Sequence, residues 1–215
     1  MDKRFAAILI GIVVVLGGVF WFTRDKSTTK GSSGNKTAAL SNHVIGANAK
    51  KVNLTEYGDF QCPACGVYHP VVKQVVEKYK NDIVFQFRNF PLSSIHQNAR
   101  AAARAAEAAD KQGKYWEMHD LLYEQQKSWE TSSNVSSVFE GYANQIGLNI
   151  DTFKKDYAST EVNDVINADY DEGQKLNITG TPTFFLQGKK IEDAPRDVDG
   201  FSKLIDQAIK DANKN

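Results

Sequence analysis

The sequence predicts an α/β fold with a helical insertion, preceded by an N-terminal transmembrane helix. Three observations carry that reading. A strand, a helix and a second strand follow one another around Cys62-Pro63-Ala64-Cys65, between residues 51 and 90. From about 96 to 176 the apolar period is helical and no strand pattern intervenes. The strand period returns at Thr183–Gln187, and a hairpin turn and an amphipathic helix follow it.

Composition narrows the class before any motif is read. With 41% hydrophobic residues, 24% charged residues and a formal net charge of zero, the chain is globular rather than disordered or collagen-like. Residues 1–44 hold six Lys/Arg against two Asp, which leaves twenty basic and twenty-four acidic residues for 45–215. That mildly acidic remainder argues against a nucleic-acid partner. It is long enough for one domain with a true hydrophobic core.

Phe5 to Phe22 is an uninterrupted apolar run of 18 residues. As a helix it would span about 27 Å, close to the thickness of a hydrocarbon core. Lys3 and Arg4 precede it, Trp21 suits an interface, and Arg24-Asp25-Lys26 closes it. A cleaved signal peptide is the rival reading, but Phe20-Trp21-Phe22 makes a poor small-residue cleavage site. Residues 1–26 are therefore expected to be a membrane anchor. Residues 27–43, rich in Ser, Thr, Gly, Asn and Lys, are expected to be a flexible linker. The folded domain is expected over 44–215.

Within it, Lys51–Tyr57 reads as a strand carrying Val52 and Leu54. Val67, Val71, Val72, Val75, Val76 and Tyr79 then recur at helical spacing over Cys62–Lys80. Ile83–Phe90 is a second strand, closed by Pro91. Asn98–Asp110 is an alanine-dominated helix ending near Gly113. Tyr115–Gln125, Ser136–Ile146, Asp151–Tyr157 and Val162–Leu176 are four more. After Thr183–Gln187, Gly188-Lys189 forms a turn into a returning strand at Lys190–Glu192, and Phe201, Leu204, Ile205, Ala208 and Ile209 mark the last helix.

Cys62 and Cys65 are the only two cysteines, placed where a strand turns into a helix. A helix N-terminus offers partial positive charge and unpaired N–H groups, both of which favour a thiolate. A disulfide closing so short a loop removes little unfolded-state entropy, so a structural staple is a weak reading. Half a zinc site is weaker still, because no other cysteine exists and His43, His96 and His119 show no ligand-like spacing. Redox chemistry remains. Cys62, nearer the helix end, is then the attacking thiolate, and Cys65 resolves the mixed disulfide. The reading requires no cofactor and no metal.

Two further features stand near the pair in sequence or pattern. Glu56, six residues before Cys62, can sit beneath Cys65 and move its proton, burial raising its pKa; the alternative is a surface glutamate on an edge strand. Asp59 is a rival acid or a helix cap. Gly180-Thr181-Pro182 opens the later strand, either as a boundary device or as a cis turn whose Thr181 backbone pairs with an extended substrate. His69 and His96 fit packing or capping roles.

Together these residues resemble the thioredoxin superfamily. The stretch between Cys65 and Pro182 is far longer than in a small thioredoxin, and the helical block that fills it is similar to the DsbA-like branch. Glu56-Tyr57-Gly58-Asp59-Phe60-Gln61-Cys62-Pro63-Ala64-Cys65, His96-Gln97-Asn98-Ala99-Arg100-Ala101-Ala102 and Gly180-Thr181-Pro182-Thr183-Phe184-Phe185 carry the likeness, which runs over about 45–212. The chain resembles the membrane-anchored members of bacteria without a conventional periplasm. The resemblance implies a thioredoxin-like fold and disulfide exchange on exported proteins outside the cytoplasmic membrane. It implies Cys62 as nucleophile, Cys65 as resolving thiol, Glu56 as buried acid, Pro182 as a cis-proline facing the pair, and reoxidation by a quinone-coupled membrane protein.

One departure matters. The family's strongest oxidants carry histidine where this chain has Ala64, and that histidine stabilises the thiolate. Alanine there predicts a less oxidising pair and leaves the direction of electron flow open. A disulfide reductase or isomerase is the runner-up; a peptide-binding holdase with a passive disulfide is the reading from another class.

Overall fold

The computed structural model describes residues 38–214. The apolar run 5–22 and most of the expected linker lie outside them; among the described residues no helix is long and apolar enough to cross a membrane. The domain begins slightly earlier than expected. Ser41 and His43 are buried, and His43–Ile45 forms a short strand, β1.

The remaining elements follow the predicted order. Strand β2 (Val52–Gly58), helix α1 (Pro63–Tyr79) and strand β3 (Ile83–Asn89) come first. Six helices fill the insertion: α2 (Ala99–Asp110), α3 (Tyr115–Glu124), α4 (Gln126–Trp129), α5 (Val135–Gln145), α6 (Ile150–Tyr157) and α7 (Thr160–Lys175). Strands β4 (Thr183–Leu186) and β5 (Lys189–Lys190) and helix α8 (Val198–Ala212) complete the domain. Neither β1 nor the single-turn α4 is visible in the sequence pattern.

The sheet runs β1-β3-β2-β4-β5, with β2 parallel to β3 and the other pairs antiparallel. This order puts β2 in the centre. Its even positions Val52, Leu54 and Glu56 share one face with Phe85 and Phe87 of β3 and Phe184 of β4. That face carries the main core together with α1 and α8, through Val72, Val75, Phe201 and Ile205. Tyr57 points to the other face, where Phe90, Ile178 and Phe185 form a smaller cluster against Tyr170 of α7.

Alanine is what lets α2 sit at the centre of the insertion. Ala102, Ala105, Ala106, Ala108 and Ala109 are fully buried, and methyl-sized side chains let the neighbouring helices approach closely. A buried polar network fastens this block to the sheet. Asp169 of α7 accepts from the backbone N–H groups of Ser41 and Asn89, each at 3.0 Å, and pairs with Arg88 at 3.3 Å. Glu107 of α2 meets Asn89 Nδ2 at 2.6 Å and His43 Nε2 at 2.7 Å. Burial alone would lower the His43 pKa, but Asp110 and Glu107 outweigh it and raise it to about 9.

Candidate active site

The cysteine pair sits where β2 hands the chain to α1. Cys62 is the N-cap residue, in extended conformation, and Pro63 opens the helix, where a missing N–H costs nothing. The cysteines are free thiols in unequal surroundings: Cys62 keeps 7% of its surface exposed and Cys65 none.

That inequality separates their chemistry. The Cys62 pKa is lowered to about 5, chiefly by the hydrogen bond from the Cys65 thiol. Burial opposes the shift, while the Thr181 side chain and the backbone N–H groups of Cys65 and Ala64 add to it. Cys65 is pushed well above the usual thiol value, first by burial, then by its bond to Cys62 and the nearby Glu56.

Glu56 lies on the core face of the central strand, not on an edge, with Phe87 and Phe184 as its cross-strand neighbours. Both rings are fully buried and the glutamate is 4% exposed. Burial, followed by the charge of Cys62, raises its pKa to about 8, so the carboxyl is mostly protonated at neutral pH.

Thr181 arrives from the far end of the insertion. The Cys62 thiol donates to the Thr181 carbonyl at 3.3 Å, and the Thr181–Pro182 peptide bond is cis. The Thr181 hydroxyl is buried without a hydrogen-bond partner. Beside it a groove of about 600 Å³ is lined by Tyr68, Thr181, Pro182, Ile191 and Arg196. A larger groove lies elsewhere, between α1 and α3.

The family named Thioredoxin (Thioredoxin_4) matches residues 38–207. The "Probable disulfide bond formation protein D" of Bacillus anthracis is 28% identical over 208 residues, covering 94% of this chain and 93% of that protein. The chain belongs to the thioredoxin family, in its DsbA-like branch. BdbD from Bacillus subtilis, in its oxidised form, has a similar structure, with a TM-score of 0.68 and 27% identity over 78% of this chain and 92% of that one. The Na(+)/H(+) antiporter NhaA 1 of Salinispora arenicola is 38% identical over 148 residues, 69% of this chain. This chain spans only 22% of that antiporter's length.

In this DsbA-like domain several residues around the pair have roles that sequence reasoning did not assign. Asp59 is not a helix cap. Its buried carboxylate accepts from Gln61 N at 2.7 Å and Leu92 N at 2.8 Å, and meets His96 Nδ1 at 2.7 Å. The turn before Cys62 is thereby tied to the segment after β3. Gln126 of α4 donates to the carbonyls of Phe60 and Cys62 at 2.7 and 3.0 Å. A Cβ on Gly66 would come within 2.8 Å of Gln126 Oε1, so a side chain there would push the Gln126 amide from its place. The helical insertion therefore braces the cysteine turn directly, through contacts more than sixty residues apart in sequence.

Proposed function

We propose that this chain is a membrane-anchored, extracytoplasmic thiol–disulfide oxidoreductase that forms disulfide bonds in exported proteins. The observation that carries the reading is the split between the two thiols, Cys62 lowered to about 5 and Cys65 raised well above the ordinary value. A low-pKa thiolate stabilises the dithiol and makes the disulfide an oxidant. At pH 7 a fall from 9 to about 5 favours the reduced pair by about 3 kcal/mol, or about 60 mV. The missing histidine at Ala64 is thus offset by Cys65, Thr181 and the helix N-terminus. The name of the Bacillus anthracis relative supports the same direction.

Cys62 is the nucleophile, Cys65 the resolving thiol, Glu56 the proton donor and acceptor, and Thr181 and Pro182 the substrate contact. A substrate thiolate attacks Cys62 Sγ of the disulfide, the S–S bond breaks, and Cys65 leaves as a thiolate that takes a proton from Glu56. A mixed disulfide now joins substrate to Cys62. A second substrate thiolate attacks the substrate sulfur of that bond and expels Cys62, the better leaving group because its pKa is low. Two electrons pass from the substrate dithiol to the cysteine pair. Protonated Cys65 is slow to reclaim Cys62, which leaves time for this release. The groove beside Thr181 is where an extended segment would lie, and the Thr181 backbone offers it a strand-like edge.

Residues 5–22 supply the anchor and 27–43 the tether, which keep the domain near a quinone-coupled membrane reoxidase that accepts the electrons. Support comes from the apolar run and from the redox chemistry, since disulfides persist outside the reducing cytosol. The test is the oxidised protein mixed with a reduced, unfolded substrate whose free thiols are counted. Disulfides form with the wild type and fail to form with Cys62→Ser; substrate oxidation that survives Cys62→Ser would sink the proposal.

A further inference from the structure

A second cluster of reactive side chains lies one helical turn past the cysteines, on a different surface. His69 of α1 faces His119 and Asp120 of α3 along a groove of about 900 Å³ that Lys73 and Trp116 also line. His69 Nε2 stands 3.8 Å from Asp120 Oδ1, and His119 Nδ1 stands 3.1 Å from the same oxygen. The three ligand atoms lie within 4.8 Å of one another. Both histidines are more than nine-tenths buried, and His69 Nε2, the atom that faces Asp120, has no hydrogen-bond partner. A buried imidazole nitrogen without a partner is costly unless something occupies the space in front of it. Among the described residues the cation at this cluster is Lys73, whose ammonium lies 2.6 Å from Asp120 Oδ2 and whose side chain is half exposed.

We propose that His69, His119 and Asp120 bind one divalent transition-metal ion of the zinc class, separate from the Cys62–Cys65 pair. The distances fit. Ligand bonds of about 2.0–2.1 Å in a tetrahedral site place ligand atoms about 3.3 Å apart, and 3.1 and 3.8 Å bracket that spacing. The donor set fits as well. Two imidazoles and one carboxylate select zinc and its neighbours over calcium or magnesium, which prefer all-oxygen sites. The fourth position opens to the groove. Lys73 holds the carboxylate until the ion displaces it, and the bound ion pins the cysteine-bearing helix to the helical insertion.

The test uses the full chain in its oxidised form, so that the Cys62–Cys65 disulfide removes both thiolates as competing ligands. Zinc is titrated against a chromophoric chelator, with calcium as control and cobalt as a spectroscopic probe. The wild type takes one zinc per chain, calcium does not compete, and the cobalt spectrum shows nitrogen–oxygen ligation without a sulfur band. His69→Gln and the partly exposed Asp120→Asn each weaken zinc binding at least ~tenfold, since even the loss of an outer partner costs that much. Lys73→Ala tightens it by removing the competing cation. No stoichiometric zinc on the oxidised wild type would overturn the site, as would His69→Gln and Asp120→Asn variants that bind zinc like the wild type.

Discussion

Replacing Glu56 with Gln removes a single titrating proton from beneath the cysteines and leaves the size of the side chain nearly unchanged. The structure places that carboxyl between Phe87 and Phe184, and burial lifts its pKa from 4.5 to about 8. The sign of the stability effect follows from proton counts. Between pH 4.5 and 8 the unfolded chain has lost this proton while the folded chain still holds it, so stability falls as pH rises through that window. The full cost, reached above pH 8, is about 5 kcal/mol, and at pH 7 it is about 3 kcal/mol. Glu56→Gln abolishes this slope. Urea unfolding of the oxidised proteins from pH 4 to 9 measures the burial part of it, smaller than these figures because the disulfide removes the Cys62 charge as well as its titration; His43 contributes equally to both. The wild type loses ground against Glu56→Gln across the window, and the two curves run parallel below pH 4.5. Parallel curves over the whole range would refute a buried, proton-holding Glu56.

Mixed with a disulfide-bonded substrate, Cys65→Ser lets the Cys62 thiolate attack the substrate S–S bond and release one substrate thiolate, but lacks the thiol that resolves the mixed disulfide. Substrate complexes therefore accumulate and are counted on non-reducing gels. Thr181→Val removes the hydroxyl whose nearness helps lower Cys62; the Cys62 pKa rises by about one unit and the disulfide loses about 30 mV of oxidising power. Thiolate absorbance across a pH titration checks it, and an unchanged pKa contradicts the assigned contact. Asp59→Ala strands the N–H groups of Gln61 and Leu92 and unpairs His96. It costs about 3–5 kcal/mol in denaturant unfolding, by the usual value of bonds to a buried charge.

The strand–helix–strand unit around the cysteines was readable because alternation and helical spacing are local signals. Glu56 stood out for the same reason, an acid at an inward position of an apolar strand. What sequence spacing hides is distance across the insertion. Thr181 and Gln126 reach the cysteine turn, and His119 reaches His69, only after six helices have packed. For that reason His119 showed no ligand-like spacing along the chain. The short strand β1 has too few residues to show a period, and its burial depends on Phe87, Glu107 and Asp169, all distant in sequence. Asp59 carries a residue type that suits a cap, and only the fold reveals Leu92 and His96 as its partners.

The reduction potential of the Cys62–Cys65 pair, measured by equilibration with glutathione at pH 7, tests the central claim most directly. A Cys62 pKa of about 5, against about 7 in a cytosolic thioredoxin, predicts a potential about 50 mV above that protein's, near −220 mV. A value at or below about −270 mV would mean that the pair donates electrons rather than accepting them, and would contradict disulfide formation as its role.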